Sequence, residues 1–255
     1  MARTIAIANQ KGGVGKTTTA INLAAALAEK GKKVLMIDTD PQGNATSGFG
    51  IDKEALENTV YELLLGYCKP EDCIQKEVLE NLDILPANIN LTGAEIELLD
   101  MDQKEYLLKE AVKDLRRSYD FMIIDCPPSL NILTINALTS AEGVIVPIQC
   151  EYYALEGLSQ LILTIKLIKK SLNPKLKIDG VVFTMYDSRT NLSTDVVENV
   201  RSNLKQHIYS SIIPRNIRLA EAPSHGEPIT VYDSHCAGAD AYRALADEII
   251  AKGAK

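Results

Sequence analysis

Apolar residues in this chain come in short unbroken runs, each closed by a polar or turn residue and followed by a longer mixed segment. Thr4-Ile5-Ala6-Ile7-Ala8 is the first. Val34-Leu35-Met36-Ile37, Leu82-Asp83-Ile84-Leu85, Phe121-Met122-Ile123-Ile124, Val144-Ile145-Val146-Pro147-Ile148 and Val181-Val182-Phe183 follow in order. Runs without alternation predict strands covered on both faces, the pattern of a parallel sheet. Between them lie segments of helical composition or periodicity: residues 20–27, 59–65, 94–99, 103–117, 132–139, the long amphipathic 155–170, and a closing helix over 239–251. The alternation predicts an α/β fold, a single-domain, mostly parallel twisted sheet with helices on both faces. No repeat, low-complexity tract or linker interrupts it, so residues 1–255 are read as one domain.

Between the first strand and the first helix stands Lys11-Gly12-Gly13-Val14-Gly15-Lys16-Thr17-Thr18-Thr19. Strand, glycine-rich turn and helix in that order form a phosphate-binding loop. Glycines let the backbone curl so that successive N–H groups face an anion, and the helix N-terminus adds its dipole. Residues 11–18 are therefore the candidate nucleotide contacts. Lys16 would reach the β- and γ-phosphates, and the Thr17 hydroxyl would sit on Mg²⁺. The loop departs from G-x-x-x-x-G-K-[ST] in two ways. Gln10 stands where that pattern has glycine, and position 11 is a second lysine. One lysine suffices within a subunit, so Lys11 is assigned to phosphate of its own or of a facing subunit.

In an open α/β sheet, ligands gather beyond the carboxyl ends of the strands. Asp125 closes the run Phe121–Ile124, as a Walker B acid that holds Mg²⁺ directly or through water. Asp38 and Asp40 end the run before it in Val-Leu-Met-Ile-Asp-Thr-Asp-Pro-Gln-Gly-Asn. Residues i and i+2 of an extended segment share a side, so both carboxylates can face one nucleotide. Asp38 is assigned to the metal and Asp40 to the attacking water. The competing reading of this pair is an Asx turn before Pro41.

Composition narrows the class. No run of 18 apolar residues is present, and the N-terminal apolar run is too short for a signal peptide. Cys68, Cys73, Cys126, Cys150 and Cys236 are scattered without C-x-x-C, and predict reduced thiols in place of a disulfide or zinc framework. The net charge of −7 opposes nucleic-acid binding when taken globally.

The segments Lys11–Thr19, V-L-M-I-D-T-D-P-Q-G-N-A-T, F-M-I-I-D-C-P-P-S and S-I-I-P-R-N-I-R-L-A-E-A-P-S-H-G together resemble the ParA/Soj chromosome-partitioning ATPases. That family belongs to a deviant-Walker group with MinD and the nitrogenase iron protein. The resemblance implies a cytoplasmic, nucleoid-associated protein that uses ATP and Mg²⁺. It implies an ATP-bound sandwich homodimer in which Lys11 reaches the partner's nucleotide. It also implies sequence-independent binding of double-stranded DNA, and hydrolysis stimulated by a ParB/Spo0J-type partner. Pro214 and Asn216 match the segment that holds adenine in the family, and Arg189 and Arg218 match its DNA-contacting arginines. Since the chain starts directly on the loop strand, no operator-reading helix-turn-helix is expected.

Charge distribution suits that implication. Residues 189–218 carry five basic side chains (Arg189, Arg201, Lys205, Arg215 and Arg218) against Asp195 and Glu198, leaving +3 locally and −10 elsewhere. The main alternative is a MinD-like division-site ATPase, which needs an amphipathic membrane helix. The segment 244–252 is poor in bulky apolar and basic residues, so no membrane partner is expected. An iron–sulfur reductase would need a cluster-ligating cysteine pair, for which Cys126 and Cys150 are poorly placed. Asp40 argues against a non-hydrolysing switch.

Overall fold

The computed structural model describes residues 1–151 and 154–253, with backbone alone for residues 154–157. Eight strands form one sheet: β1 (Arg3–Ile7), β2 (Val34–Asp38), β3 (Gln75–Leu79), β4 (Leu82–Leu85), β5 (Phe121–Asp125), β6 (Gly143–Gln149), β7 (Lys177–Tyr186) and β8 (Ile208–Pro214). Their order is β3-β4-β2-β5-β1-β6-β7-β8. All neighbours are parallel except β3, which pairs antiparallel with β4 at one edge.

The unbroken apolar runs follow from cover on both faces. Ile5, Ile7, Val34, Met36 and Ile123 pack against the helices Lys16–Glu29 and Ala237–Gly253. Ala6, Leu35, Ile37, Met122 and Ile124 turn the other way, toward the helices Ile132–Ser140, Ala154–Ser171 and Asn191–Asn203. At roughly 1.5–3 kcal/mol per large aliphatic side chain fully buried, these two layers dominate the fold's stability.

Three expectations need correction. The segment 103–117 is not one helix but a 3₁₀ turn (Lys104–Tyr106), a short α-helix (Leu107–Ala111) and a second 3₁₀ turn (Leu115–Arg117). Buried Asn136 explains the break: its side chain accepts from the Leu108 N–H at 3.0 Å and donates to the Lys104 carbonyl at 2.7 Å. Backbone groups that would bond along a helix are taken by a neighbouring element instead. Strand β3 was not anticipated, because Gln75-Lys76-Glu77 reads as polar loop; as an edge strand it needs no apolar run. Finally, Cys68 and Cys73 are joined as a disulfide, so only Cys126, Cys150 and Cys236 are free thiols among the described residues.

Candidate functional site

The site is built where β1, β2 and β5 end together. Asp38 and Asp125 are register partners across β2 and β5, and Ile7 stands opposite Asp125 on β1. The chain leaving β1 curls through Gly13 (φ 71°) and Gly15 (φ 82°), both in the left-handed region that only glycine enters cheaply. Gly15 is the N-cap of the helix Lys16–Glu29, so that helix points its N-terminus into the curl. Buried Asn9 sets the entry, donating to the Pro147 carbonyl at 2.7 Å and accepting from the Lys11 N–H at 3.0 Å. Val14 is buried as a hydrophobic anchor. Gly12, Thr17 and Thr18 complete the loop surface.

Lys16 is only 7% exposed and donates to the Lys11 carbonyl at 3.0 Å. Burial pulls its pKa down, against the opposing influence of Asp125, Cys126 and Asp40. Asp125 and Asp40 thus act on one ammonium, while Asp38 sits beside Asp125 as its register partner.

They differ sharply in how they are satisfied. Asp38 is fully buried; its Oδ2 accepts from the Thr46 N–H (2.9 Å) and hydroxyl (2.8 Å), and its Oδ1 from the Asp40 N–H (3.1 Å). Desolvation nevertheless pushes its pKa up to about 6. Asp40 accepts from the Gln42 N–H at 2.9 Å. The Asx-turn geometry weighed for this pair is therefore present, alongside the shared siting.

Asp125 is fully buried, and among the described residues only the Thr17 hydroxyl approaches its carboxylate, short of full hydrogen-bond geometry at either oxygen. Burial, then the Asp38 charge, hold its pKa well above the carboxylate range, with the nearby Thr17 side chain the first influence acting downward. A buried acceptor without a donor costs about 1–3 kcal/mol, so this one is held open at a price in stability. Among the described residues, no group of three or more His, Cys, Asp or Glu side chains could hold a metal unaided. One or two carboxylates, a hydroxyl and substrate phosphates are the donor set Mg²⁺ takes.

Beside the loop opens a cavity of about 300 Å³ lined by Gly15, Thr18, Met185, Ile213, Pro214 and Asn216, among others. The two base-contact candidates therefore line one cavity with the loop. Asn216 uses its side-chain oxygen to cap the helix Ile217–Glu221, accepting from the Arg218 N–H at 2.8 Å.

A family model described as an AAA domain matches residues 2–178. The chain is 54% identical over 253 residues to the sporulation initiation inhibitor protein Soj of Bacillus subtilis (strain 168), covering 99% of this chain and 100% of that one. It is 49% identical over 252 residues to the chromosome-partitioning ATPase Soj of Treponema pallidum (strain Nichols), covering 99% and 98%. The chain belongs to the ParA/Soj family of chromosome-partitioning ATPases. Among solved structures it is similar to a Mycobacterium smegmatis protein described as cobyrinic acid a,c-diamide synthase with bound ATP analog and magnesium. That match has a TM-score of 0.87 and 42% identity, over 98% of this chain and 95% of that one.

The residues expected to meet a facing subunit or DNA are all on the surface. Lys11 pairs with Glu151 at 3.1 Å, both half in solvent. Arg189, 84% exposed, makes two side-chain bonds to Asp187 (2.8 and 2.7 Å) and holds that carboxyl well below its usual range. Arg218 pairs with Glu221 at 3.0 Å and Asp233 at 3.4 Å. Both arginines follow strand ends, β7 and β8, on the edge of the sheet that carries the base cavity. Sequence reasoning missed their acidic partners, Glu151, and the supports Asn9, Thr39 and Thr46. Thr39, which donates to the Asp125 carbonyl at 2.6 Å, and Thr46 lay inside one quoted motif and Glu221 inside another; Asn9, Glu151, Asp187 and Asp233 carry no pattern of their own.

Proposed function

We propose that this chain binds Mg²⁺·ATP in the glycine loop and the adjoining cavity, and that the bound form pairs face to face with a second copy. The paired form holds the DNA backbone without regard to sequence, and hydrolysis resets it. The buried, under-satisfied carboxylate of Asp125, close to Lys16 and the Thr17 hydroxyl, carries this reading. Such an arrangement is costly unless a cation with its phosphates completes it.

The loop N–H groups and Lys16 neutralise the β- and γ-phosphates, while Pro214 and the Asn216 amide meet the base. Thr17 and Asp125 would hold Mg²⁺, with Asp38, already bonded to Thr46, behind them. Bound Mg²⁺ neutralises charge developing on the transferring phosphoryl group. Asp40 orients a water for in-line attack on the γ-phosphorus. The bond to the β–γ bridging oxygen breaks, and ADP and phosphate leave. Lys11, whose side-chain partner among the described residues is an exposed Glu151, releases easily to reach the partner's nucleotide. Arg189 and Arg218 exchange their acids for DNA phosphates, and a ParB/Spo0J-type protein accelerates turnover.

The MinD-like alternative is not favoured: the helix Ala237–Gly253 spends Tyr242, Leu245, Ala246 and Ile249 on the core. No helix among the described residues is long and apolar enough to cross a membrane. The test is DNA retention with ADP, ATP and a slowly hydrolysed ATP analogue, with liposome sedimentation beside it. Retention with ATP and the analogue but not ADP supports the proposal. ATP-dependent binding to liposomes and none to DNA would replace it with the MinD-like function.

A further inference from the structure

The structure assigns a positioning role to two residues outside every motif above: Gln149 and Thr184 turn the phosphate loop so that its N–H groups, and not its carbonyls, face the nucleotide. This rests on the ATP-binding reading and says what makes that site work.

In a trans peptide the C=O and N–H of one plane point in opposite directions. The Gly13 carbonyl shares its plane with the Val14 N–H, and the Val14 carbonyl shares its plane with the Gly15 N–H. Both carbonyls are held from behind. Gln149 Nε2 donates to the Gly13 carbonyl at 2.8 Å. Thr184 Oγ1 lies 2.9 Å from the Val14 carbonyl and 3.1 Å from the Ile148 carbonyl, one hydroxyl proton shared between the two. The Val14 and Gly15 N–H groups are consequently aimed away from the sheet ends.

The two donors act as a unit. Gln149 ends β6, and its register partner on β7 is Thr184, so they stand side by side under the loop. Thr184 is 2% exposed, which makes its bond hard to replace with water. Gln149 is also within 3.0 Å of the Met185 sulfur, which fixes its amide from a second side.

The loop needs this support because Gly13 and Gly15 flank the two peptides. Glycine crosses between left- and right-handed regions at little cost, so an unbraced peptide between two glycines can flip. A flipped peptide would put a carbonyl dipole against phosphate. Residues that lock carbonyls outward remove that state before ligand arrives, which is preorganisation.

Substitutions at Thr184 separate this role from packing, because the side chain also borders the base cavity. Thr184→Val keeps the methyl and loses the hydroxyl; Thr184→Ser does the reverse. Calorimetric titration with ATP and with ADP is measured for these, for Gln149→Leu and for wild type, with thermal unfolding of the nucleotide-free proteins. A lost bond of this kind corresponds to about tenfold in affinity. Thr184→Val and Gln149→Leu are expected to bind both nucleotides about tenfold more weakly and to raise KM more than they lower kcat. Thr184→Ser should stay near wild type. If Thr184→Val does not fold, Gln149→Leu decides by itself. The inference is overturned if Thr184→Val binds like wild type, if Thr184→Ser loses as much as Thr184→Val, or if only thermal stability falls. Wild type failing to bind ATP would instead sink the ATPase reading.

Discussion

The ends of β1, β2 and β5 and the ends of β7 and β8 both carry charge, but they carry it in opposite ways. At the first, charges are buried and left unbalanced: Asp125 has only the Thr17 hydroxyl near it among the described residues, desolvation holds Asp38 near 6, and Lys16 is pulled down. At the second, charges are exposed and balanced within the chain: Arg189 on Asp187, Arg218 on Glu221 and Asp233. An unbalanced buried cluster destabilises the free protein, and a ligand that completes it binds tightly and in one geometry. An exposed pair is worth about 0–1 kcal/mol, so exchanging its acid for a phosphate costs little and gains little. The contrast fits one deep, specific nucleotide site and one shallow, salt-sensitive polyanion face.

Removing the central cation is the most drastic way to break this comparison. Lys16→Ala leaves Asp125 and Asp40 without the ammonium that acts on both, and calorimetry is expected to show no ATP binding. Binding at wild-type strength would mean that the loop amides suffice. Next comes Asp40→Ala, with turnover down on the order of 10²-fold or more while ATP binding persists. Loss of binding together with turnover would make Asp40 structural or a metal ligand.

Asp125→Asn tests the cost of holding a carboxylate open. Both Asp38 and Asp125 have raised folded pKa values, so between about 4 and those values the folded chain binds more protons than the unfolded one. Stability therefore falls as pH rises through this window, and the penalty is absent below the unfolded value. Nucleotide-free Asp125→Asn is expected to exceed wild type by roughly 1–3 kcal/mol at pH 7.5, with the difference shrinking toward pH 4. Thermal unfolding against pH measures it. An equal or lower melting point at pH 7.5 would show that Asp125 is not strained.

A smaller effect is expected from Lys11→Ala, which among the described residues removes an exposed pair. Monomer binding of ATP should persist, and light scattering should show ATP-dependent pairing weakened about tenfold, the worth of one charge-assisted bond. Unchanged pairing removes the cross-subunit role.

The first region was legible in the sequence and the second only in part, for a physical reason. A phosphate loop needs glycines at fixed spacing after a strand, and a strand-end acid needs an apolar run before it; both leave local patterns. Residues 11–18, Asp38, Asp40 and Asp125 were singled out that way and lie together at the strand ends, and the central strands were read likewise. What braces them is contributed from a distance. Asn9 reaches Pro147, Gln149 reaches Gly13 and Thr184 reaches Val14, contacts between residues 136 to 170 positions apart. The break in the segment 103–117 was hidden likewise, since Asn136 causes it from another element. At the second region, counting charges from 189 to 218 stopped short of Asp187 on one side and of Glu221 and Asp233 on the other. The charge count also passed over Lys166, Lys169, Lys170, Lys175 and Lys177, a basic run leading into the amino end of β7.

The central claim is that nucleotide at the buried site governs phosphate binding at the exposed one. Its most direct test is the slope of log affinity for duplex DNA against log salt, for wild type, Arg189→Ala and Arg218→Ala, each with ATP and with ADP. Each duplex phosphate contact contributes about 0.9 to the slope, so a substitution counted twice in a dimer should reduce its magnitude by about 1.8. The account predicts binding with ATP and none with ADP, that reduction for each arginine, and equal weakening on unrelated sequences. Equal binding with ATP and ADP would contradict it, and unchanged slopes in both variants would place the DNA face elsewhere, with the lysine run entering β7 the next surface to substitute.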